Sequence, residues 1–152
     1  MNLQQFLLHQ SVEFDVIPHR DVHDASHLAQ TLHIKGKNVA KTVLLRADHG
    51  FRYFVAVLPA NRRVDLSRLG HFLSDCDLQL ASESEVAQHC TDCAAGILPP
   101  FGSQYGLSTV MDESLIDANE IVFEGNNHRQ AIRMKQEDFR AIEQPLIFPF
   151  AA

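Results

Sequence analysis

The chain has 152 residues with 13 basic and 19 acidic side chains, a net charge of −6, which argues against a protein that grips nucleic acid along many phosphates. Its length allows one domain with a real core, spanning 1–152, and is too short to expect two. No apolar run approaches the roughly 20 residues of a membrane helix, and the opening MNLQQFLLHQ lacks the basic end and long apolar core of a signal peptide, so a cytoplasmic location is expected.

Leu3, Phe6 and Leu7 recur at helical spacing with Asn2 as a cap, which predicts a helix over 3–10. Residues 13–17 alternate weakly as a strand, ended by Pro18. Asp24 or Ser26 can cap a second helix that buries Leu28, Ala29 and Leu32 and stops near Gly36. The stretch 39–58 reads as a β-hairpin turning at Asp48-His49-Gly50; its second half is apolar on both faces, as a central strand would be. Pro59 breaks that strand, and Asp65 can cap a helix carrying Leu66, Leu69, Phe72 and Leu73. A short strand at 78–81 leads into Ser82 and Glu85, a capping-box pattern that predicts a helix towards Gln88. A loop over 91–106 follows, then strands at 107–111, 120–123 and 130–134, a helix at 136–142, and a tail from about 144. Helices interleaved with hairpin-connected strands define an α+β (mixed α/β) fold, a central mixed sheet with helices packed around it.

Within that frame Lys41 is the misfit. It shares a strand face with Val39, Val43 and Leu45, and a lysine is almost never fully buried unless its charge is met. Either it faces a cleft, or it reaches back to solvent from the start of the strand. The loop Gly96-Ile97-Leu98-Pro99-Pro100-Phe101-Gly102 is stiffened by two prolines and freed at its ends by two glycines. Such a loop can hold backbone amides towards a ligand carbonyl, or simply cover the end of a sheet. Three cysteines and no export signal argue for free thiols. Cys90 and Cys93 form a lone C-x-x-C, without the second ligand pair a zinc site needs. Of nine histidines, His19 and His23 lie near the first strand and His128 beside the turn Gly125-Asn126-Asn127. Basic residues flank the hairpin (Lys35, Lys37, Arg62, Arg63, Arg68) and recur near the end, where a solvated surface is the plain reading.

Taken together, the sequence resembles the YbaK family of aminoacyl-tRNA deacylases over about 14–139. The carriers are Val39-Ala40-Lys41-Thr42, Val57-Leu58-Pro59-Ala60 with Val64-Asp65-Leu66, Leu80-Ala81-Ser82-Glu83, the Gly96–Gly102 loop, Val110-Met111-Asp112-Glu113 and Ala131-Ile132-Arg133-Met134. The resemblance implies a YbaK-like, partly barrel-like sheet with a substrate pocket at one end. It makes Lys41 the essential catalytic side chain, with Thr42 beside it and Gly96, Ile97, Leu98 and Pro99 as the loop that holds the aminoacyl carbonyl. It implies no metal and no organic cofactor, and a partner in the acceptor end of aminoacyl-tRNA, with a synthetase as a further candidate. The cysteine-specific members carry a tyrosine and an aspartate where this chain aligns Ile17 and Ala131, which leaves the amino acid open; Asn127 and His128 are the candidates for lining that side. The expected activity is hydrolysis of tRNA mischarged with a small amino acid, tRNA(Pro) first among candidates. The alternative is a non-catalytic binding module of the same fold.

Overall fold

The computed structural model describes residues 2–22 and 24–152. Local side-chain chemistry starts most of its helices. Asn2 accepts from the Gln5 amide at the head of α1 (Leu3–His9), Asp24 from His27 at α2 (Ala25–Leu32), and Asp65 from Arg68 at α3 (Leu66–Phe72). At α4 (Glu83–His89) both arms of the capping box form: Ser82 Oγ accepts from the Glu85 amide, and the Glu85 carboxylate accepts from the Ser82 amide. The last helix, α5 (Gln136–Glu143), has no side-chain cap; Glu137 and Asp138 in its first turn meet the positive end of its dipole instead. Helix α2 stops short of Gly36 because His33 adopts a left-handed φ of 55° as its cap.

The strands are β1 (Phe14–Pro18), β2 (Ala40–Ala47), β3 (Arg52–Pro59), β4 (Leu78–Leu80), β5 (Ser108–Asp112), β6 (Glu120–Glu124), β7 (Gln130–Lys135) and β8 (Leu146–Phe148). The single central sheet expected from sequence is divided in two, and neither part closes into a barrel. The smaller sheet runs β1-β7-β6, antiparallel throughout; the larger runs β4-β2-β3-β5-β8, with β3, β5 and β8 parallel. They meet at a bridge between Val39 and Val122. The hairpin stands at the middle of the larger sheet, which is why β3 is apolar on both faces.

Three apolar layers follow from these faces. Leu44, Val55, Val57 and Met111 pack against Ile121, Phe123, Ile132 and Met134 of the smaller sheet, with Leu3, Leu7, Phe101 and Phe139 between. The other face of the larger sheet takes α3 through Leu69 and Leu73. The other face of the smaller sheet takes α2 through Leu28 and Ala29.

The presumed tail is a structural element. Strand β8 extends the larger sheet beside β5, and Phe150 beyond it is fully buried. Buried Asp112 fixes the turn, accepting hydrogen bonds from the amides of Phe150 (3.0 Å) and Ala151 (2.9 Å) and from Ser114. A three-residue strand flanked by Pro145 and Pro149 carries too little periodicity to announce itself.

Candidate functional site

A cleft of about 190 Å3 opens where the start of β2 meets the turn that precedes Ile97. It is lined by Ala40, Lys41, Thr42, Gly96, Leu98, Glu124, Asp24 and Ala25. The hairpin places Lys41 opposite Leu58, one pair from the end of the ladder, where it lines the cleft. Burial pushes the Lys41 pKa down, and the positive charge of Arg63 pushes it further. Among the described residues Lys41 makes no ion pair, so the cleft holds a partly desolvated cation.

The Gly96 turn is held from three directions. The Ile97 amide donates to the Ala94 carbonyl (3.1 Å), closing a turn whose third residue, Gly96, has a φ of 79°. A positive φ there is what a type II turn requires and what glycine permits. The Ala94 amide donates to the Asn126 carbonyl (3.0 Å), and His128 Nε2 donates to the Ala95 carbonyl at 2.8 Å. Downstream, Ile97, Leu98, Pro99 and Pro100 are buried and Phe101 sits in the main core, so the loop is anchored. At the loop's far end a β-carbon on Gly102 would lie 2.6 Å from Thr109 Oγ1, a close approach only glycine allows.

Of the residues expected at the site, the cleft therefore brings together Lys41, Thr42, Gly96 and Leu98. Ile97 and Pro99 lie behind it as anchors. Asn127 is exposed and accepts from the Arg129 amide, away from the lining. His128 acts at one remove, by bracing the turn through Ala95. His23 lies outside the described residues, and His19 contacts the Arg20 carbonyl. A larger and shallower groove of about 640 Å3 runs along α3 and contains none of these groups.

Two lining acids were not anticipated. Asp24 is engaged as the α2 cap, and the His27 amide holds its pKa down. Glu124, the last residue of β6, is different: burial pushes its carboxyl pKa up, against a smaller opposing pull from His128. Its register partner on β7 is Ala131, whose partner on β1 is Ile17. The row Ile17–Ala131–Glu124 thus crosses the smaller sheet with its one acid on β6. A glutamate that ends a short apolar strand, Ile121-Val122-Phe123, gives no sequence signal beyond that of a surface residue.

The expectation of free thiols is corrected at Cys90 and Cys93, which form a disulfide; Cys76 remains free and buried. Cys90 caps the C-terminus of α4, and the turn beyond it returns Cys93 to a Cα separation of 5.7 Å, within bonding range. The Tyr105 hydroxyl lies 3.2 Å from Cys90 Sγ.

This geometry is a small cleft on an α+β domain: a cation, two carboxylates and a glycine turn around a volume below the roughly 300–1,000 Å3 of drug-sized pockets. Residues 19–142 match the family model of the aminoacyl-tRNA editing domain, and the chain belongs to that family. No curated protein sequence matches it. Among solved structures, the hypothetical protein APE2540 superposes with a TM-score of 0.90 at 13% identity, with both chains covered completely. A candidate trans-editing enzyme for prolyl-tRNA synthetase gives 0.85 at 19% identity, covering 99% of this chain and 95% of that one. A candidate signal transduction protein from Marinobacter aquaeolei VT8 gives 0.74 at 24% identity, this chain matching 30% of its length. These likenesses establish the fold. Among the described residues no helix is long and apolar enough to cross a membrane.

Proposed function

We propose that the protein is a trans-acting aminoacyl-tRNA deacylase that hydrolyses tRNA mischarged with a small amino acid, with tRNA(Pro) the first candidate. The observation that carries this reading is the meeting of the Lys41 ammonium and the Gly96 turn at one small cleft. Membership of the editing family and the likeness to a candidate trans-editing enzyme for prolyl-tRNA synthetase support it. Water attacks the ester carbonyl, the bond to the terminal ribose oxygen breaks, and the free amino acid and the tRNA hydroxyl leave. Lys41 holds the acceptor end and the developing negative charge on the carbonyl oxygen. The Gly96 main chain, on a turn held by its own hydrogen bonds, positions the carbonyl. The cleft volume suits a short aminoacyl side chain, and the nucleotides stay outside. Lys41, Thr42, Gly96 and Leu98 form the site, with Ile97, Pro99 and His128 supporting it. The reaction needs no metal, works in the cytoplasm, and leaves room for a synthetase to present the substrate.

The test is a panel of mischarged tRNAs beginning with those for proline, with and without EDTA, on wild type and Lys41→Met. Turnover of at least one substrate, insensitive to EDTA and lost in the variant, is the expected result. The replacement of the family's tyrosine and aspartate by Ile17 and Ala131, both packed against α2, favours a second reading, a binding module of the same fold. Tight binding of an aminoacyl-adenosine without turnover on any tRNA would select it.

A further inference from the structure

Glu124 is the group in the cleft that the proposed chemistry leaves unused. Its side chain is 16% exposed, and Oε1 is buried without a hydrogen-bond donor among the described residues. His128 Nδ1 lies 3.9 Å from Oε1, within loose ion-pairing distance and beyond hydrogen-bond reach. A neutral His128 has one ring N–H, and it is committed to the Ala95 carbonyl. The second carboxylate on the lining, Asp24, is already satisfied by the His27 amide and ring at 2.8 and 2.6 Å. A buried carboxylate oxygen without a donor, on an acid facing a cleft, is costly to keep unless something that enters supplies the missing donor.

The entering molecule is defined by the rest of the lining. Lys41 offers positive charge, Gly96 a main-chain edge, and Leu98 and Ala25 an apolar surface. An aminoacyl ester carries an electron-rich carbonyl, a small side chain and, on the carbon next to the carbonyl, an α-ammonium. Of these three features the ammonium is the one that brings a donor whatever the side chain, and a charged one. We propose that Glu124 binds the α-ammonium of the aminoacyl group, so that the cleft selects esters of free amino acids and rejects those whose amine is blocked. This inference rests on the reading of the cleft as an aminoacyl site, and does not require that the ester be cleaved.

The test uses stable probes, 3′-alanylamido-3′-deoxyadenosine and its N-acetyl counterpart, titrated by calorimetry or NMR into wild type, Glu124→Gln and Glu124→Asp, with melting temperatures on the same samples. Wild type is expected to prefer the free amine at least tenfold. Glu124→Gln is expected to weaken the amine form about ten- to a hundredfold, the range for a hydrogen bond to a charged group, and the N-acetyl form less than threefold. Glu124→Asp, which keeps the charge, retains the preference in part. Equal affinity of wild type for the two probes overturns the inference, as does binding of neither, or a Glu124→Gln variant that stays folded and weakens both alike. If Glu124→Gln does not fold, the wild-type comparison and Glu124→Asp still decide it. Hydrolysis of alanyl-tRNA is followed in parallel. An amine preference that depends on Glu124 without turnover refutes the deacylase reading alone, whereas turnover without the preference refutes only the role of Glu124.

Discussion

Lys41 and Gly96 show how one side chain, or the lack of one, sets what a cleft can do. Lys41 is half-buried, lacks an ion-pair partner among the described residues, and lies within the influence of Arg63, so its charge is held at a cost. Lys41→Met keeps most of the stem and removes the charge. Deacylation is expected to fall at least about a hundredfold, the scale of losing one electrostatic stabiliser, while the melting temperature at pH 7 holds or rises. The pH dependence has a fixed sign. The folded-state pKa lies below the unfolded value of 10.5, so the folded protein loses its proton first and gains stability as pH rises through the lowered value towards 10.5. Lys41→Met removes that gain, and thermal melts between pH 8 and 11 would show it; a variant with wild-type single-turnover rate would remove Lys41 from the site. At Gly96 an added β-carbon meets no protein atom within 4 Å, but the φ of 79° penalises any side chain. Gly96→Ala is expected to cost about 1–2 kcal/mol without an internal clash. A rate loss of tenfold or more in the folded fraction would then report the methyl group's intrusion on the substrate. Lys41 was legible in the sequence because a cation broke an apolar face. Glu124 was not, because its place beside the start of α2 and the Gly96 turn is set by the tertiary fold and leaves no local mark.

Elements governed by neighbouring residues were the easiest to read. Asn2, Asp24, Asp65 and Ser82 each cap the helix predicted from them, and the hairpin turns at Asp48-His49-Gly50. The division into two sheets was not readable, because the parallel pairing of β3 with β5 joins segments some fifty residues apart and leaves no local mark. The capping box yields a test of its own. The Ser82 amide, then the Tyr53 hydroxyl, hold the Glu85 carboxyl down at about 2, with Arg46 Nη1 also 3.3 Å away. A depressed carboxylate stabilises the fold above its unfolded pKa of 4.5 and loses that contribution as pH falls from 4.5 towards 2. The melting temperature of wild type is therefore expected to drop across that window, and that of Glu85→Gln to drop less. Parallel curves would show that Glu85 has no linkage to folding. Ser82→Ala is expected to cost about 1 kcal/mol at any pH where the helix is formed, by urea denaturation.

At the scale of the whole molecule, the C-terminal segment and the distribution of charge matter most. Residues 144–152 close the larger sheet, and the fully buried ring of Phe150 fills space between that sheet and α3. Phe150→Ala is expected to cost about 3–5 kcal/mol by denaturant titration; a loss below 1 kcal/mol would restore the view of this segment as an appendage. The charge argument was readable from the first: a chain of net charge −6 has little to offer a long run of phosphates. The structure narrows where the grip can be. Arg129 and Arg133 are occupied by Asp21 and Asp15 at 2.9 and 2.8 Å. Lys35, Lys37, Arg62 and Arg63 are exposed, and they come together because the turn at Gly36–Asn38 packs on Asn61, where a β-carbon on Gly36 would lie 3.2 Å from Asn61 Cβ. Arg63 is near enough to push the Lys41 pKa down, so the Arg63 end of this basic rim lies towards the cleft. Such a rim suits the last nucleotides of a single-stranded acceptor end, about two to four phosphates in all. The logarithm of tRNA affinity against the logarithm of salt concentration is then expected to have a slope of about −1.5 to −3, at −0.7 per phosphate contact. Arg62→Ala with Arg63→Ala is expected to make that slope shallower by about 1.4, on the same scale, while the fold and the binding of an aminoacyl-adenosine inside the cleft stay as they are. A slope steeper than about −6 would mean contact along the duplex stem, which an acidic surface could provide only with a partner protein bound. Running the titration with and without prolyl-tRNA synthetase separates the two, because only a partner-borne contact steepens the slope on its addition.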